Sequence, residues 1–150
     1  MRTNVVRITA LVSAMFTFTS CSSMVGPREE LASARMRWAQ RAPASYSITL
    51  RRGCECLPET IGPATITVSN GAISVNYTST GASVPKVYAT AFPDVEGMFD
   101  LIENAQKNKY YKVDVEYDSE LGYPTLISID INKQMVHDEL GIYVQDFQSY

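Results

Sequence analysis

The chain has 150 residues, 45% of them hydrophobic and 19% charged, with a net charge of −3; this is the length of one ordinary domain and too apolar a composition for a disordered chain. With 13 Lys and Arg against 16 Asp and Glu and no basic block, it carries no electrostatic footprint for DNA or RNA. Residues 1–7 hold Arg2 and Arg7 and no acid, and residues 8–19 (ITALVSAMFTFT) form an apolar run. That layout is a secretory signal, too short to span a bilayer.

Phe18-Thr19-Ser20-Cys21 resembles the lipobox of bacterial lipoproteins, with Phe where Leu is usual. In such a box a large apolar residue and two small ones precede a cysteine that is lipidated and becomes the new N-terminus. A plain secretory signal cut after a small residue is the alternative. On the lipoprotein reading residues 1–20 are the signal peptide, Cys21 carries the acyl chains (palmitate among them), residues 21–27 are a tether, and residues 28–150 are a single domain. Loss of Arg2 and Arg7 leaves 11 bases against 16 acids, a net −5. Each buried CH₂ contributes about 0.8 kcal/mol, so two or more chains on one cysteine anchor a protein firmly to a membrane. Ser22 is the residue type that, in the Gram-negative lipoproteins this resembles, allows passage to the outer membrane. The expected location is therefore that membrane's periplasmic side, with a Gram-positive cell surface as the alternative.

Residues 28–40 suit a helix, with Glu29 and Glu30 near its positive end, Arg35, Arg37 and Arg41 toward its negative end, and Pro43 as the stop. Leu31, Ala34 and Trp38 fall on one face, which places the sole Trp in the core. Residues 45–51 alternate as a half-buried strand, with Tyr46, Ile48 and Leu50 inward. Within residues 64–77, Asn70-Gly71 accepts the positive φ of a type I′ hairpin turn. Pairing outward from that turn sets Val68 opposite Ile73, Ile66 opposite Val75 and Ala64 opposite Tyr77, all on one face. Residues 81–91 read as a loop. Asp94 is a candidate N-cap for a second helix whose Val95, Met98, Phe99, Ile102 and Ala105 make an apolar stripe. Strands follow at Tyr111–Tyr117, around Ile127, Ile129 and Ile131, and over residues 142–147, with Gly122-Tyr123-Pro124 as a turn.

The order helix, three strands, helix, three strands predicts an α+β fold: one antiparallel sheet of about six strands with two helices on a single face. The two halves hint at a duplication, each a helix followed by a strand, a loop and a hairpin. Trp38, Tyr46 leading into Cys54-Glu55-Cys56, residues 98–102 (MFDLI), Tyr117-Asp118, Gly122-Tyr123-Pro124, Ile129-Asp130 and Asp138-Glu139 together resemble a bacterial family of lipoproteins and secreted proteins, domain of unknown function 6174, over about residues 34–148. The resemblance implies an exported location and a small α+β fold. It carries no activity, so no catalytic residue is transferred from it.

Three groups of residues could carry chemistry. Cys54 and Cys56 are neighbouring thiols in an exported chain and the only pair left if Cys21 is lipidated. In a straight strand their Cα atoms would lie about 6.6 Å apart, at the upper edge for a disulfide, so the segment must bend. Three readings are open for the pair: an inert local bridge, redox exchange, or a metal site completed by His137, Asp138 or Glu139. Asp114, Glu116 and Asp118 alternate onto one face of a strand, with Glu120 beyond them. They form a candidate partner face, to which the turn residue Tyr123, expected exposed, is added. Such a row could instead hold Ca²⁺ or be a solvated sheet face. His137, the only histidine, has no nucleophile motif to serve.

The motifs G-x-S-x-G, H-E-x-x-H, the P-loop and G-x-G-x-x-G do not occur. No catalytic residue, resident metal or cofactor is therefore expected. The reading that follows is a membrane-anchored, non-catalytic binding or envelope-accessory module with an envelope protein as partner, against the alternative of a thiol-based redox or metal protein.

Overall fold

The computed structural model describes residues 26–150; the signal, Cys21 and most of the tether lie outside the described residues. Helix α1 spans Pro27–Arg41, starting on a proline whose missing N–H costs nothing at that position. Strand β1 (Ser45–Gly53) leads through a single 3₁₀ turn at Pro58–Thr60 to β2 (Ala64–Ser69) and β3 (Ala72–Tyr77). A one-turn helix, α2 (Lys86–Ala89), occupies part of the segment expected to be a loop. Helix α3 (Val95–Lys107) precedes β4 (Lys112–Tyr117), β5 (Pro124–Asp130) and β6 (Leu140–Ser149).

The strands form one antiparallel sheet in the order β3-β2-β1-β6-β5-β4. Asn70 and Gly71 take φ of 48° and 81°, the positive values the turn needs, and the pairs Val68–Ile73, Ile66–Val75 and Ala64–Tyr77 form as the pattern predicts. Each half is a helix followed by a three-stranded meander. The long connections differ, however, falling between β1 and β2 in the first half (54–63) and between β5 and β6 in the second (131–139).

Both long helices cover the same sheet face. From α1, Leu31, Ala34 and Trp38 are buried; from α3 the whole predicted stripe is. They meet Ile48, Leu50, Ile66, Ile127, Ile129 and Ile142 of the sheet, each such side chain contributing about 1.5–3 kcal/mol by leaving water. Asp94 caps α3, its Oδ1 accepting from the Gly97 N–H at 2.9 Å. Arg35 ties the helices together, donating to Asp100 at 2.6 Å, Glu103 at 3.1 Å and Glu96 at 3.5 Å. The hydrogen bond to Asp100 is the main reason its pKa is raised.

One irregularity decides what β6 buries. Leu50 pairs with Val144 but Thr49 pairs with Asp146, so Gln145 is an extra, bulged residue. The bulge lets Asp146 point outward and returns Phe147 to the core face opposite Ile48. There Phe147 stacks between Tyr46 (centroids 5.7 Å apart) and Tyr123 (4.6 Å), with Trp38 edge-on at 6.1 Å. Burial pushes the Tyr46 hydroxyl pKa up to about 12.

Candidate functional site

The sheet's uncovered face changes character from one side to the other. Over β1 and β2 it is built of hydroxyls: Thr49, Thr65 and Thr78 hydrogen-bond in a chain (3.0 and 3.1 Å), and Ser47 meets the Tyr150 hydroxyl at 2.7 Å. Over β6 lies the Tyr143 ring, across the paired glycines Gly53 and Gly141. A Cβ on Gly141 would come within 2.8 Å of that ring and one on Gly53 within 3.2 Å. Over β4 it is charged, with Lys112, Asp114 and Glu116 in a row. Asp114 and Glu116 are exposed there as predicted; Asp114 pairs with Lys112 at 2.6 Å, and Glu116 has no ion pair among the described residues.

The other two members of the expected partner face are elsewhere. Asp118 sits in the β4–β5 connection, where its Oδ1 accepts from the N–H groups of Glu120 (3.0 Å) and Leu121 (2.6 Å), so it shapes a turn. Tyr123 was expected on an exposed turn and is instead half-buried in the aromatic stack on Phe147. That connection presses on α1: Gly122 has φ +88°, and a Cβ there would meet the Ala34 carbonyl oxygen and lie 2.9 Å from the Arg37 Cβ.

Cys54 and Cys56 are joined in a disulfide. The chain bends after Gly53, bringing their Cα atoms to 5.2 Å, well inside the range a bridge accepts. The fold also brings His137 to this loop, its Nδ1 lying 2.8 Å from Glu55 Oε1. Next to it, both carboxylate oxygens of Asp138 are buried without a hydrogen-bond partner. Among the described residues no group of three His, Cys, Asp or Glu side chains is placed to hold a metal ion.

Helices α1 and α3 do not fully cover the inner face of β4. A hollow of about 220 Å³ remains there, lined by Pro27, Glu30, Gln106, Val113, Val115 and Tyr117. A larger one, about 440 Å³, shares Pro27, Gln106 and Val113 and adds Tyr110. Burial, with Glu30 nearby, pushes the Tyr117 hydroxyl pKa up to about 12. Sequence reading did not foresee this groove. Its one signal is the pairing of Val113 and Val115 with charged alternate neighbours on a strand that proves to be an edge.

These features define a single-sheet α+β domain with Asp114 and Glu116 exposed on the uncovered face of its edge strand β4. The chain belongs to the family of unknown function DUF6174, whose model matches residues 30–149. No curated protein and no solved structure matches it. Among the described residues no helix is long and apolar enough to cross a membrane.

Proposed function

We propose that the chain is a lipid-anchored extracytoplasmic module that binds an envelope protein and catalyses nothing. Cys21 holds it to the membrane, in a Gram-negative cell the outer membrane's periplasmic face, and the β4 side of the sheet meets the partner. The observation that carries the reading is the placement of Asp114 and Glu116 side by side on the exposed face of a strand at the sheet's edge. Support for the anchor comes from the charged start, the apolar run and the small residues before Cys21. The test is chemical crosslinking in cells: the parent protein gives a discrete adduct, and Asp114→Asn with Glu116→Asn removes it. An adduct unchanged by those substitutions contradicts the reading.

A thiol site is the second reading, favoured by one contact, His137 against the Glu55 that separates the two cysteines. Reduction would free two sulfurs beside the only imidazole. Intact mass measurement on the exported protein decides it: a mass two hydrogens light that resists alkylation leaves a structural bridge. Two free thiols, or a metal lost on alkylation, move the function to Cys54 and Cys56.

A further inference from the structure

We propose that the outer edge of β4 accepts an extended peptide as a seventh strand, its apolar side chains entering the hollow beside Val113 and Val115 and its basic side chains facing Asp114 and Glu116. This rests on the binding-module reading and names the chemistry of the partner.

The two edges of the sheet are treated differently. Along β3, residues 82–84 turn back and pair: the Tyr77 N–H donates to the Ala82 carbonyl at 2.9 Å, the Val84 N–H to the Val75 carbonyl at 2.9 Å, and the Ser83 hydroxyl to Asn76 Oδ1 at 3.1 Å. Along β4 no described residue does this, and β4 ends the strand order. Its outward backbone N–H and C=O groups form a template for another strand.

Side chains give that template a code. A strand added to β4 presents alternate residues to the two faces. On the covered face they meet the half-buried Val113, Val115 and Tyr117 and the hollow next to them. Asp114, which faces the other way, also lines that hollow, so the space opens around the strand's edge. On the uncovered face they meet Lys112, Asp114 and Glu116, two acids and one base with Lys112 paired to Asp114 at 2.6 Å, and there opposite charge attracts and like charge repels. An alternating segment with apolar residues toward the hollow and basic residues opposite Asp114 and Glu116 satisfies both faces at those positions. A second copy of this chain is the competing occupant: antiparallel β4–β4 pairing centred on Asp114 sets that acid against itself but also sets Lys112 against Glu116, so protection of residues 112–117 that appears without peptide and rises with protein concentration overturns the proposal.

The test is hydrogen–deuterium exchange on the mature exported protein in detergent, with a blocked octapeptide alternating Lys and Val as probe and the matching Glu-Val peptide as control. The Lys-Val peptide is expected to slow exchange across residues 112–117 and to bind about tenfold more tightly than the control, the effect of two cross-strand charge pairs. Asp114→Lys with Glu116→Lys reverses the preference, and the size-conserving Asp114→Asn with Glu116→Asn abolishes it without reversal. Absence of protection at β4, protection elsewhere instead, or a preference indifferent to these charges overturns the proposal. A cellular adduct that depends on Asp114 and Glu116 while the peptide leaves β4 unprotected refutes strand addition alone and leaves the binding-module reading standing.

Discussion

Deleting Gln145 from the middle of β6, a strand at the sheet's centre, is expected to be nearly harmless. In the bulge, Val144 faces Leu50 and Asp146 faces Thr49, so the pairing on both sides of Gln145 already matches a regular strand. Removal closes the bulge and leaves Ile142, Val144 and Phe147 on the core face. No apolar side chain leaves the core, and the change in unfolding free energy should stay within about 1 kcal/mol. Deleting Thr49 from the adjacent strand is the contrast. Strand β1 pairs with β2 in unbroken register, so a one-residue loss throws either Ile48 with Tyr46, or Leu50, to the wrong face. Ile48 and Leu50 are fully buried, and losing such a side chain from the core costs about 2–5 kcal/mol. Urea unfolding followed by Trp38 fluorescence reads both. Equal damage from the two deletions, or loss of cooperative unfolding in the Gln145 deletion, refutes the assigned bulge.

Three further outcomes follow from single contacts. Asp94→Ala removes the cap of α3 and should cost about 1 kcal/mol in the same assay; no change would mean the Gly97 bond is unimportant. Reducing Cys54–Cys56 opens a loop so small that stability should fall by no more than about 2 kcal/mol; a melt showing unfolding on reduction would contradict this. Tyr46 and Tyr117 have pKa values near 12 in the folded chain against an ordinary 10.0. Their burial therefore contributes fully below pH 10 and is lost as pH rises toward 12. Urea midpoints should decline across that window, less steeply in Tyr46→Phe; equal slopes would contradict the assignment.

Local signals carried most of the fold. Asn70-Gly71 set a register that its flanking residues confirmed, and Asp94 with the Val95–Ala105 stripe specified α3 because cap and periodicity agree. The one-turn α2 has neither length nor stripe to announce it. Non-local pairing stayed hidden: β1 meets β6 across most of the chain, and Gln145 breaks the period of two that would have marked Phe147 as inward. One misplacement and one unforeseen contact follow from that. Tyr123 looked exposed because the ring it stacks on arrives through the bulge. His137 meets Glu55 because Gly53 pairs with Gly141, setting the Cys54–Cys56 loop beside the connection before β6. The acidic pair Asp114 and Glu116 was legible from alternation, whereas the position of β4 at the sheet's edge depends on strand order alone.

A photoreactive amino acid placed at Ser128, exposed on the same face and paired with Asp114, and separately at Ser74, an exposed position on the opposite edge strand, followed by irradiation of cells that export the protein, probes the β4 binding surface while keeping both acids. A single discrete adduct from position 128, found in the membrane fraction, and none from position 74 is the expected result. Adducts of equal yield from both positions, or from neither, would contradict a binding surface on the β4 side.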